Sequence, residues 1–214
     1  GRTPEHRIER ITDAPVLRLR DKLLPLVDLR TLLGFDLGEA RQPDRGFIVV
    51  NEYLETSKKH VYAFGDAIGK QMFKHAANYE AGLVWHNSTH DHKVKIDYSA
   101  TPHAAFTYPQ IAAVGFKQEE AKKNYSILVG KAFYRDTAMG AAMGNPAGFV
   151  KVIVEKQTGK ILGAHIIGPE ASLLIQEITN AMVTPPGDYG PIARGMHIHP
   201  ALNEVVQNAF GALE

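Results

Sequence analysis

Two apolar runs, Phe149-Val150-Lys151-Val152-Ile153-Val154 and Ile161-Leu162-Gly163-Ala164-His165-Ile166, flank the polar stretch Lys156-Gln157-Thr158-Gly159-Lys160, and that arrangement reads as a β-hairpin. A hairpin commits its surroundings to antiparallel pairing. From Pro102 onward the same pattern continues: His103 to Thr107, Ile111 to Gly115 and Ser126 to Tyr134 are strand-like, and Gln118 to Asn124 is a short charged helix. A helix from Glu170 to about Met182 carries Leu173, Ile175, Ile178 and Met182, and Pro185-Pro186-Gly187 stops it. The sequence thus predicts an α+β fold, a mostly antiparallel sheet with flanking helices.

Upstream the pattern is more broken. Ala14 to Arg20 alternates with period two, Lys22 to Val27 follows as a second strand, and Asp28 to Gly34 places Leu29, Leu32 and Leu33 at helical spacing. Phe47-Ile48-Val49-Val50 and Val61-Tyr62-Ala63-Phe64 are short strand candidates, the second landing on Gly65-Asp66. A helix is predicted from about Lys70 to Asn87, with Met72, His75, Ala76, Tyr79 and Leu83 on one face. His90-Asp91-His92-Lys93 reads as a linker, and no internal repeat is present.

Composition excludes several chemistries. The 214 residues contain no cysteine, so this chain carries no disulfide, no thiolate zinc site and no thiol nucleophile. A net charge of +1 gives no push toward nucleic acid or a membrane surface. No apolar run approaches the roughly 20 residues of a membrane helix, and a cytoplasmic protein is the default expectation. His90, His92 and His197 lack acidic companions at ligand spacing and read as surface residues, so no metal site is expected. Gly1-Arg2-Thr3-Pro4 reads as a cut inside a longer protein.

Two stretches have chemical meaning. In Thr56 to Asp66 a strand runs into Gly-Asp where a helix is expected to begin. The glycine permits close approach of a ligand, the Asp accepts hydrogen bonds from hydroxyls, and a helix N-terminus faces a phosphate. A sugar-alcohol phosphate suits that combination; the plain alternative is a strand-turn-helix with Asp66 as N-cap. In the second stretch, His199-Pro200-Ala201-Leu202-Asn203-Glu204, Pro200 is placed to start a helix whose apolar stripe is Leu202, Val205, Val206, Ala209 and Phe210. His199 and Glu204 then stay outside the core. They are either a proton-handling pair or a surface His with an acidic residue favoured at a helix start.

Several pieces in order carry a resemblance. Thr56 to Asp66, Phe73-Lys74-His75-Ala76-Ala77-Asn78-Tyr79-Glu80-Ala81, Thr107-Tyr108-Pro109 to Gly115 with Glu119-Glu120-Ala121-Lys122, Gly148-Phe149-Val150-Lys151, Ile161 to His165 with Gly168-Pro169, and His199 to Glu204 resemble class I pyridine nucleotide-disulfide oxidoreductases of the dihydrolipoamide dehydrogenase type. The resemblance implies that residues 47–95 are the C-terminal part of an FAD-binding domain and residues 96–214 the dimerisation, or interface, domain. It implies that Asp66 binds the flavin ribityl chain, with Gly65 and Ala67 beside it, and that backbone amides around His75 and Ala76 meet the flavin ring. It makes His199 the acid–base and Glu204 its orienting carboxylate. It further implies a homodimer through residues 96–214, NAD or NADP in the parent enzyme, and a small dithiol or disulfide, or a lipoyl domain, as substrate.

The chain also departs from that family. It has neither a Gly-x-Gly-x-x-Gly loop nor the redox cysteine pair, so alone it is expected to be inactive. Ala81 replaces the usual Gly after Glu80. Residues 9–45 instead resemble the regulatory module of chemotaxis histidine kinases and their coupling proteins, over too short a stretch for a closed barrel; residues 1–46 are expected to be an atypical segment without a function of its own. Val183 to Gly190 holds two prolines where the family continues a helix, which alters the path into His199. The alternatives to a dihydrolipoamide dehydrogenase-like enzyme are a mycothione- or glutathione-type disulfide reductase and, in another class, a non-catalytic dimerisation or adaptor module. Mercuric ion is disfavoured as substrate, because the mercuric reductases lack this His.

Overall fold

Strands β1 (His6–Ile11), β2 (Ala14–Leu19) and β3 (Lys22–Pro25) form an antiparallel three-stranded sheet in the computed structural model, which describes the backbone of residues 6–11, 14–19 and 22–25 and all of residues 47–214. β2 falls on the predicted alternating run and β3 on the strand predicted to follow it. The predicted helix over 28–34 lies outside the described residues. Residues 1–46 and 47–214 are separate units.

In the second unit, the run Phe47–Val50 is irregular rather than a strand. A strand needs a ladder, and Ile48 has one backbone bond, from its N–H to the Ala67 carbonyl at 2.8 Å. The Val61–Phe64 strand is likewise reduced to a single antiparallel bridge between Glu55 and Tyr62. Helix α1 (Lys74–Thr89) starts later than predicted, after a single 3-10 turn over Gly65–Ile68 ended by Gly69 in the left-handed region. Its buried face is Ala76, Glu80, Leu83 and Asn87, while Met72 and Tyr79, expected on that face, are exposed. Leu54, Ala63, Ile68 and Leu83 make the small apolar cluster beneath it.

The remainder is built on β4 (His103–Ala105), β5 (Gln110–Gly115), α2 (Gln118–Ala121), β6 (Ile127–Phe133), α3 (Ala138–Ala142), β7 (Phe149–Glu155), β8 (Ile161–Gly168), α4 (Ala171–Val183), α5 (Gly190–Arg194) and α6 (Glu204–Gly211). The sheet order is β4-β5-β8-β7-β6, every pair antiparallel. This is the predicted α+β arrangement, with the β7–β8 hairpin at its centre.

Register explains the core. Ala112, Ile166, Val150 and Ala132 form one cross-strand row, and Val114, Ala164 and Val152 the next; all are buried. Onto this face pack Leu174, Ile175 and Ile178 of α4 and Val205, Val206, Ala209 and Phe210 of α6. Burying each of these larger side chains contributes about 1.5–3 kcal/mol. Leu173, expected on the packed face of α4, is exposed, because the stripe runs one position later through Leu174. Gly168 sits at φ +150, and a Cβ there would collide with the ring of fully buried Tyr134, whose hydroxyl donates to the Pro169 carbonyl at 2.9 Å. Burial pushes the Tyr134 phenol well above its ordinary pKa. Gly168-Pro169 is therefore a packing requirement of the sheet.

Candidate functional site

The last helix sets out one candidate site. Val205, Val206, Ala209 and Phe210 bury the predicted stripe of α6, which leaves Glu204 at the first turn facing the preceding loop. The helix begins at Glu204 and not at Pro200, because turns over Leu202 and Asn203 intervene. Both Glu204 oxygens are engaged: Oε1 lies 2.8 Å from His199 Nδ1, and Oε2 accepts the Ala201 N–H at 3.0 Å. The His199 bond, followed by the Ala201 amide, lowers the Glu204 pKa below the ordinary carboxylate value. The structure thus brings His199 and Glu204 together. The His199 side chain is 68% exposed, and its Nε2 has no hydrogen-bond partner among the described residues.

The two prolines do not disorganise the path to this pair. α4 ends at Val183, and Gly187 N–H closes a turn on Thr184 O at 2.7 Å. Gly187 O then accepts the Ile161 N–H at 2.9 Å, fastening the turn to the central hairpin. Asp188 Oδ1 accepts the Gly190 N–H at 2.6 Å and leads into α5.

His197 corrects the sequence reading. Expected at the surface, its side chain is only 5% exposed, with Nε2 2.8 Å from Glu177 Oε1. Sequence could not place Glu177, which lies on α4 twenty residues away in the chain. His90 and His92 are exposed as expected, and among the described residues no group of three His, Cys, Asp or Glu could hold a metal.

A second, separate candidate site is the turn at Gly65, Asp66 and Ala67. Gly65 adopts φ +68, a conformation glycine takes without steric cost, and its N–H donates to Glu80 Oε2 at 2.5 Å. Glu80 is wholly buried, and its Oε1 accepts the Tyr98 hydroxyl at 2.7 Å. Burial first, then the Glu80 carboxylate, drives the Tyr98 phenol upward in pKa. With Gly65 fixed from behind, Asp66 and Ala67 face solvent. Asp66 caps no helix: the N-cap of the 3-10 turn is Phe64, and α1 begins only at Lys74. The predicted phosphate-facing helix end is therefore not at Asp66. His75 Nε2 lies 2.7 Å from Pro102 O and its ring stacks on Phe73, while Ala76 is buried. Phe73, the N-cap of α1, offers no side-chain acceptor to the first-turn amides around His75 and Ala76.

Glu80 and Tyr98 were not foreseen. The available signal was spacing: Glu80 stands four residues after Ala76 and three before Leu83, in line with the buried face. Among the described residues no helix is long and apolar enough to cross a membrane.

Residues 101–210 match the family described as pyridine nucleotide-disulphide oxidoreductase, dimerisation domain. Mycothione reductase from Mycobacterium tuberculosis is 42% identical over 202 residues, which covers 87% of this chain and 43% of the relative. A dihydrolipoyl dehydrogenase from Synechocystis sp. is 35% identical over 188 residues, covering 83% of this chain and 39% of the relative. The chain spans less than half the length of these curated relatives. Among solved structures, LpdA from Mycobacterium tuberculosis has a TM-score of 0.75 at 21% identity, over 94% of this chain and 46% of that one. The HOCl-induced flavoprotein disulfide reductase RclA from Escherichia coli has a TM-score of 0.73 at 19% identity, over 96% of this chain and 50% of that one. At such identities the two structures speak for the fold alone.

Proposed function

The chain belongs to the pyridine nucleotide-disulphide oxidoreductases, and we propose that it serves an FAD-dependent, NAD- or NADP-linked enzyme of that family by supplying its dimerisation domain and an acid–base pair, His199–Glu204, for dithiol–disulfide exchange. The single observation that carries this reading is the bond of 2.8 Å between His199 Nδ1 and Glu204 Oε1, with Nε2 left facing outward. A carboxylate on Nδ1 fixes the tautomer and supports the imidazolium, so Nε2 is the atom that takes and returns the thiol proton.

The flavin would supply electron transfer between nicotinamide and disulfide. The residues present fit part of its site. Asp66 offers an exposed carboxylate to ribityl hydroxyls, Gly65 permits close approach, Ala67 lies beside them, and the first-turn amides around His75 and Ala76 offer donors to the ring edge. The redox cysteines have to come from elsewhere in the enzyme, because this chain has none. Phe106, Tyr108, Leu173, Val183, Met196 and Ile198 are exposed apolar side chains that a second copy of the chain would cover. The substrate class is a small disulfide, of the mycothione or glutathione kind, or a lipoyl dithiol.

The test is His199→Gln in the enzyme that contains this segment. The turnover number for disulfide reduction is expected to fall about 10²–10⁴-fold with flavin content unchanged. A variant that keeps the full rate excludes His199 as the acid–base. Size-exclusion chromatography of the 214-residue chain tests the dimer separately, and a monomer at every concentration would refute that part.

A further inference from the structure

Between α5 and α6 the chain crosses from Gly195 to Asn203 without regular structure. Gly195 N–H is tied back to Pro191 O at 3.0 Å, and the next backbone bond is Glu204 N–H to Ala201 O at 3.4 Å. Among the described residues, no backbone–backbone hydrogen bond holds Met196 to Pro200, the stretch that presents His199. Side chains hold it instead.

The anchor is a second histidine–carboxylate pair. His197 turns inward while its neighbours Met196 and Ile198 turn out. Its Nε2 meets Glu177 Oε1 of α4 at 2.8 Å, and its Nδ1 lies 3.2 Å from Gly195 O. The same Gly195 carbonyl accepts Gln207 Nε2 of α6 at 2.9 Å. Glu177 of one helix and Gln207 of the other therefore converge, through one imidazole and one carbonyl, on the segment just ahead of His199. Both helices are fixed by the buried core, so they are rigid posts for this clasp.

We infer that His197 is a positioning residue: clasped by Glu177 and Gly195, it sets the place and tautomer of His199 by holding the strand of chain from which His199 reaches Glu204. A histidine tautomer is set by the bond its other nitrogen makes. The His199–Glu204 bond is exposed on the His199 side, and an exposed pair of this kind keeps its geometry only if its backbone is held. The inference rests on the proposed acid–base role of His199 only for its meaning in catalysis, since the geometry it concerns exists without flavin or substrate.

The test uses the uniformly 15N-labelled 214-residue chain, with amide and long-range proton–nitrogen correlation spectra, His199→Gln identifying the ring resonances. In the unaltered chain His199 is expected to show one dominant neutral tautomer, protonated at Nδ1. In His197→Ala and in Glu177→Ala its two ring-nitrogen shifts are expected to move toward each other as the tautomers average, while core signals from Val152, Ile166 and Val205 stay in place. Glu177→Gln, which keeps an acceptor for His197, is expected to restore most of the separation. Glu177 is partly exposed, so Glu177→Ala reports even if His197→Ala does not fold. An unchanged His199 pattern in either folded alanine variant overturns the inference. Loss of the tautomer preference together with full activity of His199→Gln in the parent enzyme would leave the positioning intact and remove the acid–base role.

Discussion

Around Gly65 the chain is held by polar bonds above a small apolar cluster; around β7 and β8 it is held by a large apolar core with the polar pair hung outside. Beneath the turn, four apolar residues are buried together with two polar ones, Glu80 and Asn87. Asn87 alone ties Tyr53 O at 3.1 Å, Val94 O at 2.9 Å and Val94 N–H at 2.8 Å, and its own carbonyl accepts the Tyr62 hydroxyl at 2.9 Å. In the sheet, by contrast, buried strands and helices interlock, and His199 and Glu204 lie at the periphery. A well-packed core degrades gradually with side-chain volume, whereas a buried polar clamp fails when one partner is removed. The turn is thus the more brittle region, and the sheet the more costly to injure.

The largest effect is expected from Phe210→Ala. Phe210 is buried in the sheet core and stacks on Tyr189 at 5.7 Å. Its truncation should cost about 3–5 kcal/mol in urea unfolding. Glu80→Leu should cost about 1–3 kcal/mol by stranding the Gly65 N–H and Tyr98 hydroxyl, with amide exchange accelerated at Gly65 before anywhere in the sheet. Glu80→Gln, which retains an acceptor, should cost less. Equal costs for Leu and Gln would break the contrast. Thr137 caps α3, accepting the Gly140 N–H at 3.1 Å. Thr137→Ala should lower stability by about 1 kcal/mol, read as a small shift in the denaturant midpoint.

The smallest effect is in pH. Burial, then Lys151, His103 and Lys117, lowers the pKa of His165, so the fold favours its neutral form. A group with a depressed folded pKa contributes stability that is present above the ordinary value of 6.5 and lost as pH falls through the folded value. Glu204, depressed by His199 and the Ala201 amide, contributes likewise above 4.5 and loses it at more acid pH. Thermal melts from neutral pH down to about pH 2 should fall in two stages. His165→Asn should flatten the first and Glu204→Gln the second.

The same contrast governs what the sequence discloses. Apolar spacing located β5, the β7–β8 hairpin, α4 and α6, because burial of these elements is what their periodicity encodes. It missed by one residue at Leu173, where an apolar side chain stands beside the packed stripe. It overcalled Phe47–Val50, since an apolar run cannot show whether a neighbouring strand exists to pair with it. Glu80 and His197 escaped for a different reason: their partners, Gly65, Tyr98 and Glu177, lie far off in the chain, and although spacing put Glu80 on the buried face, nothing in the sequence named what it would bond. For His199 and Glu204 the residues alone left a surface His and a helix-start acid open, and it was the resemblance that pointed to the contact the structure has at 2.8 Å.

The sheet order has a kinetic consequence. β7 and β8 are joined by a tight turn, whereas β5 reaches β8 only after α2, β6, α3 and β7 have been laid down. Local hairpins close in microseconds, and distant pairings form once the intervening chain has collapsed. The hairpin should therefore form early, with φ-values higher along Val150 to Val154 than at the contacts by which β5 joins β8. Pro102, which His75 grips through its carbonyl, directly precedes β4. The junction between the Gly65 region and the sheet should then assemble after the hairpin, which faster amide exchange around Pro102 than along β7 would report.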